Sequence, residues 1–280
     1  MSVKSARKGS VTACFILTFL ISWASWIPFV VFGPTSSAIT SSPQQANPMM
    51  LLQVLGNYGP TLAAVLLSAF WGERGELKSL LGRLRPRRVN LEWYAVVLLL
   101  PLGVMLPGLL TYGLFGGALA ELQFVAILPM FVASIFISGL GEELGWRGYV
   151  LPRLQERIGP LAASLVIGVL WGIWHLPIFY WASTQRGIPF LVEFALYVLF
   201  ITTFSVLFTW VYNATNKSLW MVVLMHAAVT SAGNNIMVLI SPGRVGSWVP
   251  YTVSLLSLLA AAILATTLGK SRVLSGQRTA

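Results

Sequence analysis

Eight apolar runs, each long enough to cross a bilayer, fill most of this 280-residue chain. A helix needs about 20 apolar residues to cross a hydrocarbon core ~30 Å thick. The qualifying runs are 11–33, 48–72, 91–115, 122–144, 160–182, 190–212, 219–240 and 249–268. In lipid a helix satisfies its own backbone hydrogen bonds, whereas an open sheet leaves edge groups unpaired. The expected fold is therefore all-α, a polytopic membrane helical bundle of about eight transmembrane helices. A hydrophobic share of 56%, a charged share of 9% and a mean hydropathy of +0.79 exclude an ordinary soluble domain. The single cysteine, Cys14, excludes an internal disulfide framework.

The net charge of +10 does not describe a nucleic-acid surface, because the basic residues cluster between the apolar runs. Loop 73–90 holds Arg74, Lys78, Arg83, Arg85, Arg87 and Arg88 against Glu73 and Glu76. Arg147, Arg153 and Arg157 follow in 145–159, then Lys217, then Lys270, Arg272 and Arg278 in the tail. The alternating connections 34–47, 116–121, 183–189 and 241–248 are poor in charge. With eight spans, every basic cluster falls on one side, so both termini are expected in the cytoplasm. Lys4, Arg7 and Lys8 precede a first run too long for a cleaved leader, which reads as an uncleaved span. These features fit an integral protein of a prokaryotic plasma membrane.

Ionisable groups inside such runs are costly and usually mark a working site. The chain contains no aspartate, eight glutamates and two histidines, His175 and His226. Both histidines lie in apolar runs, and a third run ends in Gly141-Glu142-Glu143-Leu144-Gly145-Trp146-Arg147. Neighbours on a helix point about 100° apart, so Glu142 and Glu143 are expected to have separate tasks. Glu143 and Arg147 are spaced i, i+4 in the favourable orientation for an ion pair. Glu142 is left to face His175. Gly159-Pro160 is the natural turn between the fourth and fifth helices. Glu142 lies 17 residues before Gly159 and His175 lies 16 after it, which puts them level in an antiparallel hairpin. A desolvated carboxylate suits a general base, and an imidazole can share its proton. His226 is placed to donate to an oxyanion. Thr230 and Asn234 follow it at i+4 and i+8 on one face. Gly141/Gly145 and Gly168/Gly172 are spaced to bring the fourth and fifth helices close together. The aromatics Trp171, Trp174, Phe179, Tyr180 and Trp181 read as packing and interface residues.

Three segments resemble a known family. Glu142-Glu143-Leu144-Gly145-Trp146-Arg147 resembles the EExxxR first motif of the CPBP family, the CAAX-protease and bacteriocin-processing membrane proteins, also called Abi. Trp171-Gly172-Ile173-Trp174-His175 resembles the second motif, with Trp171 where phenylalanine is commoner. His226-Ala227-Ala228-Val229-Thr230 resembles the third, with Thr230 where Asn or Asp is usual. The resemblance implies a catalytic core over 122–240, preceded by transmembrane helices 1–3 in 1–121 and followed by helix 8 and a tail in 241–280. It implies an intramembrane protease that hydrolyses a peptide bond of a membrane-associated or lipid-modified, CaaX-like substrate. Glu142 and His175 would activate water, with Glu143 and Arg147 in support, and His226 and Thr230 would stabilise the transition state. The substrate would enter from the membrane or the cytoplasmic side. The family is often labelled metalloprotease, and Glu142, His175 and His226 would supply three ligands to a divalent metal such as zinc. Water activation that needs no cofactor is equally consistent with these residues. The alternative from another class is a non-catalytic immunity or peptide-binding protein of the same fold.

Overall fold

The computed structural model describes residues 6–34, 48–114, 124–183, 189–239 and 248–267. The side chains of 6–10, 124–127, 183, 233–239, 248–254 and 264–266 lie outside that description. Asn234 is therefore placed only by its backbone. Most of the charge-poor connections and the tail bearing Lys270, Arg272 and Arg278 also lie outside the described residues.

All regular elements among the described residues are helical. In chain order they begin with α1 (Ala6–Phe32), α2 (Met50–Asn57), α3 (Gly59–Phe70), α4 (Glu76–Gly82) and α5 (Leu91–Leu114). The central span contains α6 (Phe124–Ser134), α7 (Leu140–Glu143) and α8 (Leu151–Ile158), joined by wider π-helical turns at Ile135–Gly139 and Leu144–Val150. Then come α9 (Pro160–Trp174), α10 (Leu176–Ser183), α11 (Phe190–Ala214), α12 (Leu219–Leu239) and α13 (Trp248–Thr267). Four of these helical stretches are long and apolar enough to cross a membrane, or six if each bent pair counts as one span. The protein is thus an integral membrane protein by composition and length, with a coarser count than the eight runs suggest.

The packing inverts the pattern of a soluble protein. Leu20, Phe32, Leu99, Leu114 and Leu191 face outward, whereas Glu142, Glu143, Arg147 and His226 are buried. An outer shell of large apolar side chains is what lipid contact requires. Small residues let the inner helices approach. A Cβ on Gly145 would sit 2.4 Å from the carbonyl of Pro60 in α3, and one on Gly168 would sit 2.5 Å from Thr202 Cα in α11. This corrects the expectation that these glycines join the fourth and fifth helices. Gly141 and Gly145 face α2 and α3, while Gly168 and Gly172 face α11. The spacing showed a close approach but not its partner.

Two breaks position the histidine-bearing segments. Gly159, at φ +81°, ends α8, and Pro160 opens α9, so the turn lies where Gly-Pro chemistry puts it. The second break is at His175, where α9 and α10 meet at 51°. Pro177 has no N–H to continue the helical ladder and its ring crowds the preceding turn, which bends the chain there. At the other end of the core, Asn216 and Lys217 adopt left-handed φ values of 54° and 60°. They make a tight return from α11 to α12, which brings His226 back alongside Phe208.

Candidate active site

The site is built on the central span, where wide turns flank the two glutamates. A π-helical turn places more residues in a given length than an α-turn and is frequent at functional sites. Glu142 and Glu143 occupy the single α-helical turn, α7, between two such stretches. Glu143 and Arg147 lie on the same face. Arg147 Nη1 donates to both carboxylate oxygens of Glu143, at 3.0 and 3.2 Å. Both side chains are fully buried. Arg147 Nη2 donates to Ser205 Oγ of α11 at 3.1 Å, and Ser205 in turn donates to the Ser164 carbonyl at 2.8 Å. The guanidinium carbon lies 4.7 Å from the ring centres of both Trp171 and Phe208, and the two contacts add cation–π attraction.

His226 enters this cluster from α12. Its Nδ1 is 2.7 Å from Glu143 Oε1, and its Nε2 is 3.7 Å from Glu142 Oε1. A carboxylate only accepts, so Nδ1 carries the proton and donates to Glu143. Nε2 is then the atom at which this imidazole gains or loses a proton. Glu142 Oε2 accepts a hydrogen bond of 2.6 Å from the indole Nε1 of Trp171. Glu142, Glu143, Arg147, His226 and Trp171 thus form one connected, buried network.

His175 joins it indirectly. A broken helix leaves its last carbonyls without helical donors. His175 Nδ1 takes the Trp171 carbonyl at 2.8 Å, and Trp23 Nε1 takes the Trp174 carbonyl at 2.9 Å. Rings of Trp26, Trp174 and Tyr197 surround the His175 imidazole. Glu142 and His175 share no direct hydrogen bond; Trp171 bonds to both, to Glu142 by its side chain and to His175 by its main chain.

Thr230 stands one turn beyond His226 and is half-buried. Its hydroxyl lies 3.3 Å from Ser138 Oγ, which also lies 3.0 Å from the Ser134 carbonyl. Among the described residues no three His, Cys, Asp or Glu side chains gather closely enough to hold a metal ion. Glu142 Oε1 and His226 Nε2 face one another, while His175 holds its Nδ1 on the Trp171 carbonyl and keeps Nε2 available. Sequence reading overlooked three participants: the Trp171 N–H, Ser205 and Ser138. A cluster of hydroxyls in an otherwise apolar helix, Thr202, Thr203, Ser205 and Thr209, was the available signal for Ser205.

Comparison with known proteins places this geometry in context. Residues 124–232 match the family described as Type II CAAX prenyl endopeptidase Rce1-like. The chain is similar to CAAX prenyl protease 2 of Methanococcus maripaludis, 27% identical over 237 residues, covering 79% of this chain and 83% of that protein. It is also similar to lysostaphin resistance protein A of Staphylococcus haemolyticus, 24% identical over 179 residues, or 62% of this chain and 46% of that protein. The corresponding Staphylococcus epidermidis protein is 26% identical over 148 residues, or 51% of this chain and 36% of that protein. The chain therefore spans less than half the length of the two staphylococcal relatives.

Proposed function

We propose, from the match of residues 124–232 and the likeness to CAAX prenyl protease 2, that the chain is a membrane protease of the type II CAAX prenyl endopeptidase Rce1-like kind, and that it hydrolyses a peptide bond of a lipid-modified, CaaX-like substrate with water activated by glutamate and histidine. The observation that best supports this reading is the free side of Glu142. Its Oε2 is held by Trp171, while Oε1 faces His226 Nε2 across 3.7 Å. That separation is compatible with one water oxygen, set off the line between them, within hydrogen-bond reach, about 2.8 Å, of both.

In this reading Glu142 takes a proton from that water as its oxygen attacks the scissile carbonyl. Glu142 then returns the proton to the departing amine, the two halves of general acid–base catalysis. Glu143, itself clamped by Arg147, holds the Nδ1 proton of His226. When protonated at Nε2, His226 donates to the tetrahedral oxyanion. The Thr230 hydroxyl, backed by Ser138, adds a second donor. His175, with Nδ1 committed to the Trp171 carbonyl, offers Nε2 as an acceptor towards the water or the departing amine.

The membrane arrangement completes the proposal. α12 and α13 bring the count to eight spans, with both termini in the cytoplasm of a prokaryote. Three contacts support one basic face: Arg83 donates to the Gly148 carbonyl, Arg153 pairs with Glu76, and Asn213 bonds Gln155 at 3.2 Å. Loop 73–90, segment 145–159 and the α11–α12 return thus share one end of the bundle. Substrate would reach the site from the membrane or from that end.

The test uses purified protein in lipid nanodiscs with a farnesylated CaaX peptide. Wild-type protein should release the C-terminal residues, and Glu142→Ala should lower the rate by about 100- to 10,000-fold. Equal cleavage by the two proteins would end the proposal. The second reading is a non-catalytic immunity or peptide-binding protein of the same fold. In that case Glu142→Gln would leave any protective effect intact and no peptide would be cleaved.

A further inference from the structure

Trp171 is more than the aromatic filler that its sequence position suggests. It is buried on α9, and it contacts Glu142, Arg147, His226 and His175. The indole N–H donates to Glu142 Oε2 at 2.6 Å. The ring face lies 4.7 Å from the Arg147 guanidinium, and its edge meets the His226 ring at 5.4 Å between centroids. Its carbonyl accepts from His175 Nδ1 at 2.8 Å.

We propose that the indole N–H of Trp171 is a positioning group that fixes the Glu142 carboxylate, so that Oε2 is occupied and Oε1 is presented to His226 and the reacting water. This rests on the reading of Glu142 as the catalytic base. The physical need is plain. The last torsion of a glutamate is broad, so an unanchored carboxylate turns easily and exchanges its two oxygens. Glu142 is not the glutamate that Arg147 grips; that is Glu143. Among the described residues, Trp171 provides the hydrogen bond that fixes its rotation. A donor bonded to an ionised acceptor makes one of the stronger hydrogen bonds available to a protein. The indole is itself immobilised by Arg147 on one side and by Phe208, at 5.6 Å, packed against it. Phenylalanine fills much of the same space and offers no donor.

Trp171→Phe therefore separates the N–H from the packing. In the nanodisc assay its kcat should fall by about 10- to 100-fold while KM stays within about twofold. A structural role would instead lower the yield of folded protein and leave kcat of the remainder unchanged. A second measurement does not depend on turnover. In protein labelled with ¹⁵N-tryptophan, the indole N–H resonance lost in Trp171→Phe (or in Trp171→Tyr, should the first variant not fold) should move upfield when Glu142→Ala removes its acceptor. An unchanged kcat in Trp171→Phe, or an unmoved resonance in Glu142→Ala, overturns the proposal. Failure of the wild type to cleave any peptide would count against the catalytic reading alone, since the resonance still reports whether the bond exists.

Discussion

Two arginines six residues apart, Arg147 and Arg153, each pair with a glutamate, and almost everything else about the two pairs differs. Glu143 and Arg147 are completely buried, whereas the Arg153 and Glu76 side chains keep 16% and 23% of their exposure. The inner pair also holds His226, Ser205 and two aromatic rings. The outer pair leans on Tyr149, with Arg153 Nη1 donating to its carbonyl at 2.8 Å and the guanidinium over its ring at 3.7 Å, and Glu76 also accepts from the Glu73 N–H at 3.2 Å and Ser68 Oγ at 3.4 Å. The same chemistry serves two ends. Inside the bundle a Glu–Arg pair fixes the tautomer of a histidine; at the rim it ties loop 73–90 to the end of the central span. The medium decides which, because a charge stripped of water must find all its partners in protein.

Removing one member of the inner pair should have the largest effect. Arg147→Ala leaves Glu143 as an uncompensated buried charge, a loss of about 3–5 kcal/mol in comparable cases. The expected result is little folded protein, read as a large drop in the midpoint of thermal unfolding in nanodiscs. Arg147→Lys sharpens the comparison. It keeps the charge but cannot span Glu143 and Ser205 with one planar fork. Folded protein should be recovered, with lower stability than wild type. A stability equal to wild type for Arg147→Ala would show that the inner pair behaves like a surface pair.

Glu143→Gln comes next. The amide oxygen can still accept one hydrogen bond, so the fold should survive. It no longer offers a charge to both Arg147 and His226. Hydrogen bonds to charged groups are worth about 1.5–3 kcal/mol, so kcat should fall by about 10- to 100-fold with KM little changed. If KM rises instead while kcat holds, Glu143 belongs to substrate binding rather than to the orientation of His226.

Much of this was legible before any coordinates. Apolar runs located the helices, because lipid tolerates few alternatives to helix. Gly159-Pro160 located a turn, because each residue has one strong backbone preference. The spacing of Glu143 and Arg147 gave their ion pair, since i, i+4 is contact distance on a helix. The missing parts share a cause. The wide turns at Ile135–Gly139 and Leu144–Val150 leave no signature in composition. A level count put Glu142 opposite His175 and gave no sign that Trp171 bonds to both. The glycine pairs announced close packing but carried no information about which helix would fill the space. Trp171 was passed over because an aromatic in an apolar helix is usually packing, and its one polar atom is visible only when an acceptor faces it.

The smallest effect belongs to the outer pair. Arg153→Ala removes one partner of Glu76, but water reaches both side chains and can solvate the glutamate that remains. Partly exposed pairs of this kind contribute about 0–1 kcal/mol. The cation–π contact with Tyr149 adds about 0.5–1 kcal/mol at such a site. The unfolding midpoint should therefore move only slightly, and it should move less at high salt, where exposed charges are screened. The double variant Glu76→Gln with Arg153→Ala should be nearly as stable as Arg153→Ala alone, because the pair is already broken. A loss as large as that of Arg147→Ala would mean that loop 73–90 is a structural part of the core, and that exposure does not separate the two pairs.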